Sequence, residues 1–164
     1  MELADRLKAP IAHTSRAKDE LEYSNPHNVG MTGIIGNEAG YHAILNCETL
    51  LLLGTSFAWR QFYPSHAKII QVDLEPNNVG LRHPVSLGVV GDVKDTLQAL
   101  LPRIEAREDS SFRDTYVERH QKAMKAQEGR AQPGPRPCRP KSGSRTHSKP
   151  VLPCRRTCRD IHGK

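Results

Sequence analysis

Two short apolar runs that lie close together in the chain most strongly limit its fold. Leu50–Leu53 is followed at once by Gly54, and Lys68–Val72 is followed by Asp73. Neither run alternates apolar and polar residues, which is typical of strands buried on both faces at the centre of a parallel sheet. Ligands of such sheets bind beyond the carboxyl ends of the strands. The pattern therefore predicts an α/β fold in which Thr55–Trp59 and Asp73 lie side by side, provided that the two strands are neighbours.

The basic residues are concentrated at one end of the chain. Residues 129–164 hold ten of the 24 Lys and Arg residues but only one of the 18 Asp and Glu residues, so the remainder is mildly acidic. The same segment carries six of the 12 prolines and few large apolar side chains, which predicts a disordered basic tail. It lacks aromatic residues for base stacking and lacks C-x-x-C spacing, so we expect neither sequence-specific nucleic-acid binding nor a zinc site. Non-specific binding of nucleic acid through its arginines stays an alternative.

The body of the chain, residues 1–128, has the features of a protein from a reducing compartment. It contains one cysteine, Cys47, and the other three lie in the basic tail. Met1–Lys8 has acidic residues and no apolar stretch of a secretory leader. No apolar run approaches the ~20 residues that a membrane span requires. We therefore predict a cytoplasmic protein without a transmembrane segment.

Helices and strands alternate along the rest of the body. Residues 14–31 are polar and rich in turn residues, so we expect a long loop there, although a loop of this length is unusual in a compact domain. The other predicted elements, in chain order, are a helix at Glu2–Leu7, a strand at Ile11–His13, a helix from an Asn37 cap to Cys47, a strand within Pro84–Val90, a helix capped by Asp92, and a surface or linker helix within Asp109–Ala126.

Three glycines with a regular spacing precede the Asn37 cap. Gly30, Gly33 and Gly36 can adopt left-handed conformations and allow a ligand to approach the backbone closely. A glycine turn that opens onto a helix amino terminus can bind an anion, because free N–H groups and the helix dipole point towards it. Taken alone, the motif favours the simpler interpretation of a tight turn before a helix.

Eight segments spread over residues 8–124 form a more specific pattern than any single glycine motif. They are Lys8–Ile11, Glu22–Gly36, Gly40–His42, Leu51–Phe57, Phe62–Pro64, Ala67–Asp73, Val90–Lys94 and Ala99–Pro102. In order and spacing they resemble the central domain of thiamine-diphosphate-dependent enzymes, closest to bacterial pyruvate oxidase (the ubiquinone-dependent pyruvate dehydrogenase). The resemblance implies a Rossmann-like parallel sheet flanked by helices. Acetolactate synthase shares this domain type and is the nearest alternative, including the case of a domain that binds no flavin.

The resemblance also implies a binding site for FAD. The residues that correspond to the family's FAD site are Thr32, Gly33, Ile34, Ile35, Thr55, Ser56, Phe57, Ala58, Trp59 and Asp73. By this analogy the small residues admit the cofactor, the hydroxyls bind phosphate or ribitol, the aromatic rings face the flavin and the carboxylate binds ribose. A core aromatic ring at Phe57 and a turn-stabilising acid at Asp73 are the alternatives. Ala58-Trp59 departs from the family pattern.

Other parts of the family pattern are not found in this sequence. The family's central domain begins with an earlier strand and glycine loop, and its Gly-Asp-Gly motif for magnesium diphosphate has no counterpart here. We therefore expect a truncated fragment with a partial central domain at residues 1–107, a linker helix at 108–128 and a tail at 129–164 that looks like out-of-frame translation. Thiamine diphosphate, Mg²⁺, pyruvate oxidation and homo-oligomers are implied for the full-length family. We assign no catalytic or metal-binding residue and expect the chain alone to be inactive.

Overall fold

The strands of the described part of the chain form two separate parallel sheets, and short 3-10 helices at Arg60–Phe62 and Pro76–Asn78 connect the three strands of the larger sheet. The computed structural model describes residues 1–130. Its strands are β1 Ile11–His13, β2 Asn28–Met31, β3 Thr49–Leu53, β4 Lys68–Asp73 and β5 Leu87–Val90. Its α-helices are α1 Glu2–Leu7, α2 Lys18–Leu21, α3 Glu38–Asn46, α4 Val93–Leu100 and α5 Ser111–Arg130. This arrangement confirms the predicted α/β fold with parallel sheets flanked by helices.

The two apolar runs form neighbouring strands, which was the condition for their following loops to lie side by side, but β3 lies at an edge of its three-stranded sheet and not at the centre. β3 pairs in parallel with β4, with Leu50 opposite Ile69 and Leu53 opposite Val72. β4 pairs in turn with β5 at its other edge, so the strand order is β3-β4-β5. Leu52 of β3 and Ile69 of β4 form an apolar cluster with Phe57 and Tyr63. The carboxyl ends of β3 and β4 therefore meet at one edge of the sheet.

The second sheet contains two short strands. β1 pairs in parallel with β2, and the register shifts between Ile11 and His13. The expectation of a loop throughout residues 14–31 is wrong, because β2 and the short helix α2 lie within this segment. Asn28 and Gly30 carry no apolar pattern, so the sequence gives no strand signal, yet Val29 is completely buried. Backbone pairing and burial on this sheet override the weak local preference.

The helices close over these sheets through specific contacts. Tyr116 of α5 joins Val29, Ala39 and Ala43 in a second apolar cluster. The Asn46 side-chain amide donates a hydrogen bond to the Tyr116 hydroxyl at 2.9 Å. Helix α5 thus packs on the β1–β2 side of the molecule, while its role as an interdomain linker stays a prediction.

The first helix is tied to the segment that follows α4. The Arg6 guanidinium donates to the carbonyl oxygens of Leu101 and Ile104, and the Arg107 N–H donates to the Arg6 carbonyl at 2.8 Å. Asp5 Oδ1 also lies 3.0 Å from Nε2 of the buried His27, although this contact is not aligned as a hydrogen bond. Helix α1 is therefore held by both main-chain and side-chain partners.

Within residues 1–130, none of the helices combines the length and the apolar composition that a bilayer crossing requires. The cytoplasmic location stays a prediction. The disorder proposed for the basic tail, and the absence of zinc or specific nucleic-acid binding there, concern residues that are almost all outside the described range.

Candidate functional site

A tight glycine turn connects β2 to the amino terminus of α3. Gly33 has φ of 115°, a left-handed conformation, and its carbonyl accepts a hydrogen bond from the Gly36 N–H at 3.0 Å. A Cβ at Gly36 would lie 2.5 Å from the Met31 carbonyl oxygen. Side chains at these two positions would strain or block the turn, so the sequence spacing reflects a real backbone requirement.

The Asn37 cap of helix α3 is confirmed. Its Oδ1 atom accepts a hydrogen bond from the Gly40 N–H at 3.0 Å, which satisfies one of the free donors of the first helical turn. The glycine turn therefore leads directly into a capped helix amino terminus.

Two of the three segments of the expected cofactor site come together in the structure. A Cβ atom on Gly33 would lie 3.2 Å from Nε1 of Trp59, so the turn after β2 touches the loop after β3. The Trp59 side chain is partly exposed, at 39% of its full accessible surface. Ile34 and Ile35 are more exposed still, at 63% and 78%. The contact places an apolar, partly open surface beside the glycine turn.

An enclosed hydroxyl group lies in the same turn. Thr32 Oγ1 is shielded from solvent and has no hydrogen-bond partner among the described residues. Buried polar atoms are usually paired, and an exception needs an explanation such as a bound ligand or water. The atom thus marks the turn as a place where a polar partner would be favourable.

A shallow cleft of about 380 Å³ runs along the start of α3. It is lined by Gly33, Ile34, Gly36, Asn37, Glu38, Tyr41, His42 and Phe62. The Tyr41 ring packs edge to face on Phe62, with ring centres 5.4 Å apart. The volume is at the lower end of the range of roughly 300–1,000 Å³ for ligand pockets, so the cleft has room for one part of a large cofactor.

The loop Thr55–Trp59 is anchored in the apolar cluster by its residue Phe57. Phe57 is 6% exposed and packs against Tyr63, with ring centres 5.6 Å apart. The Tyr63 hydroxyl donates to the Phe57 carbonyl at 2.8 Å, and Gln71 Nε2 donates to the Thr55 carbonyl at 3.3 Å. Phe57 is thus a core aromatic residue, which is the alternative to a ring that faces the flavin. Trp59 stays partly exposed.

Asp73 stands at the carboxyl end of β4, beside the end of β3. Its Oδ1 atom accepts hydrogen bonds from the Glu75 N–H at 3.0 Å and from Asn78 Nδ2 at 3.2 Å. The side chain therefore stabilises the turn that follows the strand. It is not among the residues that line the cleft beside Gly33.

Basic and aromatic groups that the sequence analysis did not select lie between these loops. Arg60 Nε donates to the Arg82 carbonyl at 2.8 Å, which joins the loop after β3 to the loop after β4. His83 stacks on Tyr63, with ring centres 5.0 Å apart and ring planes 10° from parallel. Burial raises the pKa of the Tyr63 hydroxyl, and the charge of Arg82 partly opposes this shift. The sequence signal for this set was the recurrence of Arg and His in the turns after two successive strands.

Metal-binding chemistry has no preformed cluster in the described part of the chain. No group of three or more His, Cys, Asp or Glu side chains converges among residues 1–130 in a manner suited to a metal ion.

Comparison with known proteins decides the family. The model of the thiamine pyrophosphate enzyme central domain matches residues 1–100. The chain belongs to this family. A putative thiamine pyrophosphate-containing protein, YdaP, from Bacillus subtilis is 38% identical over 121 residues, which are 74% of this chain and 21% of that protein.

Two further relatives show the same partial coverage. An uncharacterized 42.6 kDa protein in the isoamylase 3′ region of Pseudomonas amyloderamosa is 54% identical over 123 residues, which are 75% of this chain and 31% of the relative. A probable acetolactate synthase large subunit from Methanocaldococcus jannaschii is 30% identical over 124 residues, or 73% of this chain and 21% of the synthase. The chain thus spans about a third or less of the length of these relatives.

Proposed function

We propose that this chain is the central module of a thiamine-pyrophosphate-dependent enzyme of the pyruvate oxidase type, and that it binds FAD. The observation that carries the proposal is the contact between the glycine turn at Gly33 and the indole of Trp59, beside the unpaired hydroxyl of Thr32. These are the two segments that resemble the flavin-binding segments of that enzyme family. Bound FAD would supply the capacity to accept electrons from the reaction.

The described residues fit part of a flavin dinucleotide. Trp59, Ile34 and Ile35 offer an exposed apolar surface, and the cleft beside them is bordered by the Tyr41 and Phe62 rings. Gly33 leaves the space that a side chain would fill. A flat ring system would therefore gain apolar contacts in the cleft, whereas Thr32 Oγ1 is shielded from solvent and Thr32 is not among the lining residues.

Charged groups support the same proposal at the ends of β3 and β4. Arg60 and Arg82 are exposed on the two loops that their hydrogen bond joins. Guanidinium groups suit phosphate oxygens because they can donate two parallel hydrogen bonds. Asp73 Oδ1 is already shared by two donors, so a ribose hydroxyl would bind its second oxygen. We assign Thr55 and Ser56 to hydrogen bonds with the polar middle part of the cofactor.

The module would hold a cofactor rather than perform acid–base chemistry. Two ionisable side chains of α3, His42 and Glu38, line the cleft. His42 Nε2 lies 3.8 Å from Glu38 Oε1, one helical turn away. No group of three or more His, Cys, Asp or Glu side chains converges as a metal site among residues 1–130. We assign none of these residues to thiamine pyrophosphate or to Mg²⁺.

The only tryptophan of the chain provides a direct test. We expect FAD to quench the fluorescence of Trp59 in the full chain with a saturable titration curve, because the flavin would lie against the indole. Tyr41→Ala should weaken the titration by removing a cleft wall. Tyr23→Ala is the matched control, since Tyr23 is 68% exposed and does not line the cleft. Quenching no stronger than that of free N-acetyltryptophanamide would refute flavin binding at this site.

The second candidate is a flavin-free module of an acetolactate synthase-like enzyme. The similarity to the probable acetolactate synthase of Methanocaldococcus jannaschii favours it. In that case the exposed surface around Trp59 would contact protein rather than cofactor, and the fluorescence titration would show no saturable change.

A further inference from the structure

The side chain of Asn37 links the wall of the cleft to helix α5. Its Oδ1 atom accepts from the Gly40 N–H, and this bond fixes the orientation of the amide group, because a backbone N–H can only donate. The Nδ2 group then points towards Nδ1 of His120, at 2.7 Å. The two residues are 83 positions apart in the chain.

This geometry determines the protonation state of His120. An amide NH₂ group donates hydrogen bonds, so His120 Nδ1 must offer its lone pair and the imidazole ring must be neutral. The ring is buried, with 7% of its surface exposed, and lies against Gly30. A side chain at Gly30 would overlap the Asn37 amide and the His120 ring, so the close pair depends on that glycine.

The charged groups that face His120 come from two other elements. They are Glu22, after α2, and His13, at the end of β1. His13 Nε2 lies 2.6 Å from Glu22 Oε2, and its other ring nitrogen lies 3.1 Å from the Thr14 carbonyl. Burial lowers the pKa of His120, while Glu22 acts to raise it and His13 to lower it. The neutral ring required by the hydrogen bond agrees with this direction.

We propose that His120 is a positioning residue that holds the Asn37 cap of helix α3, and that its protonation releases this cap at the edge of the cleft. A protonated ring would place an N–H group against the Asn37 NH₂ group, so the two donors would repel each other. The amide could restore a bond to His120 only by rotating, and rotation would remove the acceptor from Gly40. The start of α3, which borders the cleft, would then lose a hydrogen bond.

The direction of the pH effect follows from the lowered pKa. The unfolded chain binds a proton near the ordinary histidine value of 6.5, whereas folded His120 binds it only at lower pH. The contribution of neutral His120 to stability is therefore present above that value and is lost as the pH falls through the folded pKa. The effect does not depend on which ligand occupies the cleft.

The test is an NMR titration of the full chain from about pH 7.5 to pH 5, the range in which histidines change charge. We expect hydrogen-exchange protection of the Gly40 amide to fall about fivefold, as for the loss of a typical helix cap, with the same midpoint as the His120 ring. Trp59 emission, recorded in parallel, should stay constant over this step. Unchanged Gly40 protection while His120 titrates, or a loss that coincides with global unfolding, would overturn the proposal.

Two variants separate positioning from a general structural role. His120→Gln supplies an acceptor that does not titrate, so Gly40 protection should become independent of pH over this range. Asn37→Asp retains the cap and replaces the NH₂ donor by an oxygen, so the midpoint of His120 should rise and Gly40 should stay protected in acid. A Gly40 response in His120→Gln equal to that of the unmodified chain, or an unchanged His120 midpoint in Asn37→Asp, would each count against the proposal.

Discussion

The two sheets of this molecule are stabilised by different kinds of interior. Leu52 of β3 and Ile69 of β4 form an aliphatic and aromatic core with Phe57 and Tyr63, beside the buried polar residues Gln71 and Asp73 of β4. On the β1–β2 side a smaller apolar cluster is accompanied by buried polar residues, which are His13, His27, Asn28 and His120. The first region gains stability mainly from apolar surface removed from water. In the second, the side chains of His13, Asn28 and His120 have hydrogen-bond partners whose loss would be costly, whereas neither ring nitrogen of His27 has one.

The largest expected effect comes from a cavity in the apolar region. Ile69 is 1% exposed, so Ile69→Ala should lower the free energy of unfolding by about 2–5 kcal/mol. Val29→Ala, in the other region, is the comparison, since Val29 is fully buried but loses fewer atoms. Urea denaturation followed by Trp59 emission and by far-UV circular dichroism measures both. A loss below that of Val29→Ala would contradict the assignment of the main core to β3 and β4.

A charge removed from the polar region should have the next largest effect. Glu22→Gln leaves the buried His13 ring without its carboxylate partner and should cost about 1.5–3 kcal/mol, the range for hydrogen bonds to charged groups. Glu20→Gln is the matched control two positions earlier in the chain, because Glu20 is an exposed residue of α2. Equal urea midpoints for the two variants would show that the His13 pair contributes nothing.

The smallest effect concerns a polar bond inside the apolar region. Tyr63→Phe removes the hydroxyl that donates to the Phe57 carbonyl and should cost about 0.5–1.5 kcal/mol. Tyr23→Phe, at an exposed position, should change little. Because burial raises the pKa of Tyr63, its phenol should also ionise at a higher pH than that of an exposed tyrosine in an absorbance titration. A Tyr63→Phe variant as stable as Tyr23→Phe would show that this bond adds no stability.

The contrast between the two regions explains which parts of the fold the sequence reveals. Strands β3 and β4 are apolar runs, so their type could be predicted from local pattern, whereas their pairing as neighbours is seen only in the structure. Strand β2 was missed because its buried residues include Asn28 and a glycine, which carry no strand signal. The Asn37 cap could be predicted from the sequence because a capping side chain accepts a hydrogen bond from its own helix.

The candidate site, like the fold, could be predicted from the sequence only in part. Resemblance to a family identified the segments at Gly33 and Trp59, and the structure brings them into contact. A core ring at Phe57 and a turn-stabilising acid at Asp73 are the alternatives that the sequence offers for these two residues, and the structure shows both arrangements. His120 could not be found from spacing, because its partner lies far away in sequence and the pairing exists only after α5 packs against β2.

The anchoring of the first helix by Arg6 has a consequence for synthesis of the chain. Its guanidinium partners, Leu101 and Ile104, follow it by 95 and 98 positions. On the ribosome, α1 therefore emerges long before its acceptors exist and stays without them while both sheets are being translated. The hydrogen bonds between Arg6 and these two carbonyl groups can therefore form only after both sheets have been translated.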